Sequence, residues 1–262
     1  MKLLMNKRIV IIGAGNVAYH LAPAILKAGF NLCQIYSRHI ESAKDLGMKI
    51  GIAFTNKSDA VFPDADIYIF CISDDAILSV FKELRINKNA LVIHTSGSMP
   101  MNIFEGLTKN YGVLYPLQTF SKKRALVFNE IPLCIEASNV TAKKELREIA
   151  TKLSQYVEEV SSEKRKTLHI AAVFACNFVN HLYDIAFEIL QKDSLDFSLL
   201  RPLISETANK VMTLLPADVQ TGPAVRGDKS VLAKHKEFLK EDKKWNELYC
   251  LFSDDLLRNS EK

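Results

Sequence analysis

Gly13-Ala14-Gly15-Asn16-Val17-Ala18 decides how the first half of this chain folds. The six residues read G-x-G-x-x-A and follow a short apolar run, Arg8 to Ile12. Gly13 permits a tight turn. Gly15 lets the backbone approach a pyrophosphate with no side chain between. Small Ala18 lets the next helix lie close on the strand. A helix from about Asn16 to Lys27, closed by Gly29, then points free N–H groups and its positive dipole end at the phosphates. The motif also fits a strand–helix turn without a ligand. Its place, after the first strand and opening the first helix, favours a nucleotide site.

Outward from this turn, the second strand reads Leu32 to Tyr36 and ends in Tyr36-Ser37-Arg38. An NAD site places Asp or Glu there for the ribose hydroxyls. No carboxylate stands here. Arg38 can pair with a 2′-phosphate and Ser37 can donate to it, so the reading is NADP in preference to NAD. The alternative is a solvated Arg38 starting the next helix. Ligands bind at the carboxyl ends of parallel strands. That places Ser73 and Asp74 along the same cleft, although an Asp there can equally cap the next helix. Thr95, Ser96 and Gly97 follow the fifth strand, at the nicotinamide end or as an ordinary polar turn.

Strand-like runs at Ile50–Phe54, Ala65–Ile72, Ala90–His94, Val113–Tyr115 and Pro132–Ile135 continue the pattern, with helices at Glu41–Leu46 and Asp75–Leu84. Apolar strands spaced by helices predict a parallel sheet buried on both faces. After about Ser161 no strand-like run remains, and helices are expected at Lys164–Lys192, Leu199–Leu215, Val231–Leu239 and Lys243–Leu257. The fold class is therefore α/β. A doubly wound Rossmann domain, residues 1–160, precedes an all-helical domain, residues 161–262.

The composition is that of a globular protein, with 48% hydrophobic and 24% charged residues. A net charge of +4 is too small for a nucleic-acid binder but suits a phosphate-bearing ligand. The five cysteines show no C-x-x-C spacing and read as reduced, mostly buried thiols. The segment Met1 to Arg8 is too short in apolar residues for a signal peptide, and no uncharged stretch reaches membrane-spanning length. These features predict a cytoplasmic protein without nucleic-acid or membrane partners. No metal-ligand cluster, nucleophile elbow or P-loop is visible.

On the first long helix, at about 100° per residue, His169, Val173, Cys176, Asn177, Asn180 and Asp184 share one arc. The opposite arc is apolar, which marks a buried helix. His169 can donate a proton near neutral pH while Asn177 and Asn180 orient a carbonyl or imine. The same residues also fit a structural hydrogen-bond network. Gln118 and Thr119 are candidates to reach a substrate from the first domain. Arg226, in the loop Thr221 to Asp228, can clamp an anionic substrate or pair with Asp228. The run Glu163-Lys164-Arg165-Lys166 reads as a solvated helix start.

Six segments together resemble one group of proteins: Gly13 to Ala18, Tyr36 to Arg38, His94 to Ser98, Tyr115 to Phe120, His169 to Leu182 and Thr221 to Asp228. They resemble the bacterial Rossmann-like NADP oxidoreductases with a helical C-terminal domain of unknown function, relatives of pyrroline-5-carboxylate reductase and 6-phosphogluconate-dehydrogenase-like enzymes. The resemblance implies a cofactor held between the domains and a homodimer formed through the helical one. The group often has His where this chain has Tyr115. The wider superfamily often carries a catalytic Lys four residues before an Asn, and the comparable positions here are Val173 and Asn177. The expected function is hydride transfer between NADP and a small carbonyl, imine or alcohol. The alternative is a non-enzymatic NADP-binding redox sensor or regulatory protein.

Overall fold

The computed structural model describes residues 6–260, so Met1 to Met5 of the N-terminal reading lie outside the described residues. The first strand, β1 (Arg8–Ile12), sets the plan. Its side chains alternate between two faces, Ile9 and Ile11 entering one apolar cluster and Val10 and Ile12 the other. A strand buried on both sides needs helices over both. The chain supplies them as α1 (Asn16–Lys27), α2 (Ile40–Ile50), α3 (Ile77–Glu83) and α4 (Val140–Leu153).

The other strands are β2 (Asn31–Tyr36), β3 (Ala53–Thr55), β4 (Ile67–Phe70), β5 (Leu91–His94), β6 (Asn110–Pro116), β7 (Leu133–Ala137) and β8 (Val157–Glu159). They form one eight-stranded sheet in the order β3-β2-β1-β4-β5-β6-β7-β8. All neighbours are parallel except β6 and β7. The order reverses between β1 and β4, which opens a crevice at the carboxyl ends of those strands. This is the doubly wound Rossmann sheet that the sequence predicts.

Three local differences have clear causes. The expected strand at Ile50 starts later because α2 runs through Ile50 and is stopped by Gly51, which is left-handed at φ 72°. Helix α4, absent from the sequence reading, opens on Asn139, whose side chain accepts the Ala142 N–H at 2.9 Å. It buries Ala142, Leu146, Ile149, Ala150 and Leu153 at helical spacing. Strand β8, also unexpected, adds in parallel to β7.

Beyond β8 every regular element is helical. Residues Ser162–Lys192 form one continuous 31-residue helix. It comprises α5 (Ser162–Ala172), a π-helical turn at Val173–Phe178 and α6 (Val179–Lys192). The remaining helices are α7 (Arg201–Val211), α8 (Lys229–Phe238) and α9 (Lys243–Ser260). The first compact unit extends to Phe178 and the second begins at Val179. The first unit thus carries one helical segment past the change from strand to helix. Of the five thiols, Cys71 and Cys134 are buried while Cys176 is exposed.

Candidate functional site

Gly13 is held at φ 117°, and a Cβ there would sit 2.2 Å from the Cys71 carbonyl oxygen. Only glycine fits that corner. Its N–H bonds the Tyr36 carbonyl at 2.6 Å, fixing the turn to the end of β2. Gly15 differs: a Cβ there would meet nothing within 4 Å. The space is open because it faces a cleft of about 1150 Å³ at the carboxyl ends of the strands. Helix α1 starts beneath it with no side-chain cap and no acidic residue in its first turn. Its first N–H groups are therefore left for a ligand.

The cleft wall contains Gly13, Ala14, Gly15, Asn16 and Val17, then Ser37, Arg38, Ser73, Asp74, Thr95, Ser96 and Gly97. Ala18 does not line it, being fully buried where α1 meets the sheet. Ser37 accepts the His39 N–H at 3.3 Å, shaping the turn after β2. Neither Ser73, at the N-cap position of the next turn, nor Asp74 makes a side-chain capping hydrogen bond there. Thr95 donates to the Phe70 carbonyl at 3.2 Å. The Ser96 hydroxyl accepts the N–H groups of Ser98 and Met99 at 3.1 and 2.9 Å, which curls residues 95–99 along the wall.

The far end of the cleft is built by β6 and α5. The hydroxyl of Tyr115 lies 3.0 Å from Nδ1 of His169, with the rings edge to face. Burial pushes the Tyr115 phenol up to about 12, so it stays protonated across the working range. Both residues press on Gly97, where a Cβ would lie 2.6 Å from Nδ1 and 2.9 Å from Tyr115 Cζ. The pair occupies the room that a side chain at position 97 would need.

Beneath this pair lies a charged network that the sequence did not reveal. Arg165 is 1% exposed, which corrects the reading of residues 163–166 as wholly solvated. Its guanidinium donates to Glu136 at 2.6 Å and to the Met99 carbonyl at 2.6 Å. Glu136 also accepts from the Ser162 N–H at 3.0 Å and from its hydroxyl at 2.7 Å. Burial raises the Glu136 carboxyl, but the Ser162 and Arg165 hydrogen bonds outweigh it and leave it below its ordinary range. Nearby His94 is fully buried, and burial first, then the Arg165 charge, lowers its pKa to about 4. The network ties the start of α5, and so His169, to the loop that carries Gly97.

Among the other predicted residues, Gln118, Thr119, His169 and Asn177 line the cleft. The Gln118 side chain accepts from the Thr119 N–H at 2.7 Å and from its hydroxyl at 3.2 Å. Asn180 lies past Phe178 in the second compact unit and is not part of the cleft wall. The π-helical turn interrupts the uniform winding on which the shared arc was drawn. Arg226 also lies in the second unit and pairs with Asp228 at 2.9 Å, the pairing alternative of the sequence reading. Sequence reasoning missed His39, Ser42, Lys122 and the Tyr115 contact, all on the cleft. Their approach depends on loop paths that no local motif encodes. A group of three or more His, Cys, Asp or Glu able to hold a metal is absent among the described residues.

Residues 8–97 match the family described as NADP oxidoreductase, coenzyme F420-dependent, and residues 131–256 match a domain of unknown function, DUF2520. A solved protein of Bacteroides fragilis, described as a "putative NADP oxidoreductase", is 44% identical with a TM-score of 0.94. The match covers 97% of this chain and 99% of that one. The chain belongs to this NADP oxidoreductase-like family. Pyrroline carboxylate reductase of Plasmodium falciparum, solved with NADP bound, shares the fold at a TM-score of 0.61 and 14% identity. That likeness covers 97% of this chain and 99% of the other. Glutamyl-tRNA reductase 1 of Pyrobaculum arsenaticum is 24% identical over 172 residues, 62% of this chain. The chain spans 43% of that curated relative's length.

Proposed function

We propose that this protein is an NADP-dependent oxidoreductase acting on a small carbonyl, imine or alcohol. One observation carries the reading: a glycine turn with open space over Gly15 shares a single cleft with the hydrogen-bonded pair Tyr115 and His169. The residues fit the dinucleotide. The α1 N-terminus and the Gly13–Val17 backbone would hold the pyrophosphate, and Ser37 and Arg38 the 2′-phosphate. Thr95, Ser96 and Gly97 would flank the nicotinamide.

Bound NADPH supplies a hydride. The protein's part is to deliver the matching proton. With Nδ1 engaged by Tyr115, Nε2 is the His169 nitrogen left for substrate. The imidazolium form donates Nδ1–H to the Tyr115 oxygen and passes the Nε2 proton to the substrate oxygen or nitrogen. The neutral ring then keeps its remaining proton on the phenol side, so no charge is stranded. Asn177 on the same wall can orient the substrate's polar atom.

The test is NADPH oxidation with a panel of keto acids, imines and aldehydes. Turnover is expected, falling about 10²–10⁴-fold in His169→Gln with cofactor affinity kept. The second reading, a redox sensor without turnover, is favoured by Val173, which lines the cleft where the superfamily's lysine would stand. Tight NADP binding with no oxidation on any substrate would select it. Failure of either nicotinamide coenzyme to bind would remove both readings.

The proposed partner, besides the small substrate, is a second copy of the chain through the helical unit. Among the described residues after Phe178, only Ala224, Leu232 and Leu239 are buried apolar side chains. Phe187, Leu199, Leu203, Leu215 and Phe252 are exposed in the single chain. The Ser162–Lys192 helix is long and apolar enough to cross a membrane by length and composition. Its polar His169, Asn177, Asn180 and Asp184 favour protein surroundings instead. The modest net charge speaks against a nucleic-acid partner. A reducing, cytoplasmic setting accords with five free thiols.

A further inference from the structure

The segment after β6 does more than close a loop. It leaves the sheet at Pro116 and continues along the cleft through Leu117 to Phe120. It is then anchored on α1. The Phe120 ring packs on His20 at 5.4 Å, and the Ser121 carbonyl accepts a hydrogen bond from His20 Nε2 at 2.9 Å. Lys122 is the next residue, and it lines the same cleft as Arg38 and Ser42.

The Lys122 ammonium is poorly paired. Its nearest carboxylate oxygen, on Asp45, is 4.0 Å away, and the Tyr19 ring centre is 5.3 Å away. A close ammonium–carboxylate hydrogen bond is about 2.7–2.9 Å. Arg38 makes no ion pair among the described residues. Two incompletely paired cations therefore border one cleft, approaching from different segments of chain. Ser42, on the first turn of α2, lies along the same wall. Asp45, the carboxylate nearest Lys122, sits one turn further along that helix. A doubly charged phosphate is the ligand that this arrangement complements, since one guanidinium alone leaves half of its charge unmatched.

We propose that Lys122 is a second cationic contact for the 2′-phosphate of NADP, set opposite Arg38 by the anchored segment 117–122. The proposal rests on the NADP reading of the cleft and deepens it. Specificity for the phosphorylated cofactor then comes from two distant stretches of sequence. The strand-end motif Tyr36-Ser37-Arg38 supplies one charge and the strap over α1 supplies the other. Lys122 would give up little in turning from Asp45 to the ligand, because its present contacts are long.

The experiment is calorimetric titration of the full chain with NADP, NAD and adenosine 2′,5′-bisphosphate at two salt concentrations. Wild type should prefer NADP, with the preference shrinking in high salt as exposed charges are screened. Lys122→Gln should weaken NADP and the bisphosphate by about tenfold, one charge-assisted contact, while changing NAD by less than about twofold. Lys122→Arg should restore most of the loss. A Lys122→Gln protein that keeps the full NADP preference overturns this proposal and leaves the NADP reading standing. Equal weakening of NADP and NAD also overturns it, placing Lys122 at the shared phosphates. Equal affinities of wild type for NADP and NAD would remove the underlying reading, and the proposal with it.

Discussion

The two compact units differ in what they do with their apolar residues. Up to Phe178 the large aliphatic side chains of the sheet disappear into clusters on both of its faces, and Ile9 through Ile12 are wholly buried. From Val179 onward the helices are as amphipathic, yet they leave Leu199 and Leu203 65% and 63% exposed. A parallel sheet brings its own cover, because every crossover lays a helix on it. Helices with one apolar face each can only cover one another, and a short set runs out of faces. The sheet is thus covered on both faces within one chain, while Ile170, Phe174 and Phe178, on the helical segment that ends the first unit, stay exposed. The second unit keeps few buried apolar side chains among its described residues, which is what the proposed dimer would cover.

The largest test of that contrast concerns assembly. Leu199→Glu combined with Leu203→Glu should convert a dimer to monomer in sedimentation and abolish the helical unit's cooperative melting. The Rossmann unit should keep its own transition. A wild-type monomer with a single sharp transition at micromolar concentration would break the comparison.

Next in size, Arg165→Met should cost about 3–5 kcal/mol in denaturant unfolding, because it leaves the half-buried Glu136 without its cation. The loss should fall on the first unit alone. A change under about 1 kcal/mol would show that solvent reaches Glu136 freely.

The third test uses pH. His94 has a folded pKa of about 4 against an ordinary value of 6.5. Between those values the unfolded chain binds the extra proton and the folded one does not. Stability is therefore full above about 6.5 and is lost as pH falls toward 4, by roughly 3 kcal/mol. Asparagine at position 94 can still accept the Ser96 N–H, so His94→Asn should flatten this slope in melts from pH 7 to 4. An unchanged slope would assign it to other groups.

The smallest expected stability change separates folding from binding within the first unit. Gly15→Ala should alter unfolding by no more than about 1 kcal/mol, since its Cβ meets nothing. It should nevertheless weaken NADP in calorimetry by intruding on the cleft. Gly13→Ala, by contrast, places a methyl group against the Cys71 carbonyl and should reduce stability itself.

Much of the Rossmann half was legible because its signals are local. A glycine turn, short apolar strands and a strand end without a carboxylate each lie within a few residues. Of the residues named on that basis between Gly13 and Gly97, all but the buried Ala18 line the cleft, while His39 and Ser42 on the same wall were missed. What stayed hidden depends on contacts between distant stretches. Arg165 looks like any basic residue at a helix start, until Glu136, 29 residues away, meets it at 2.6 Å. Helix α4 was overlooked because Lys and Glu dominate its exposed side, although Ala142, Leu146, Ile149 and Leu153 keep helical spacing. The arc drawn through His169, Asn177 and Asn180 assumed a constant step per residue, and a π-helical turn interrupts that step at Val173–Phe178.

Gly97 carries no charge and no reactive atom, yet the phenol and the imidazole meet where its absent methyl would be. A screen that mutates only functional groups would pass over it. Alanine at that position would drive Nδ1 and the tyrosine ring apart, leaving the histidine chemically intact but with its second nitrogen unmanaged. A single hydrogen in place of CH₃ thereby governs whether two side chains from separate elements can meet at hydrogen-bond distance, as the proposed proton delivery requires.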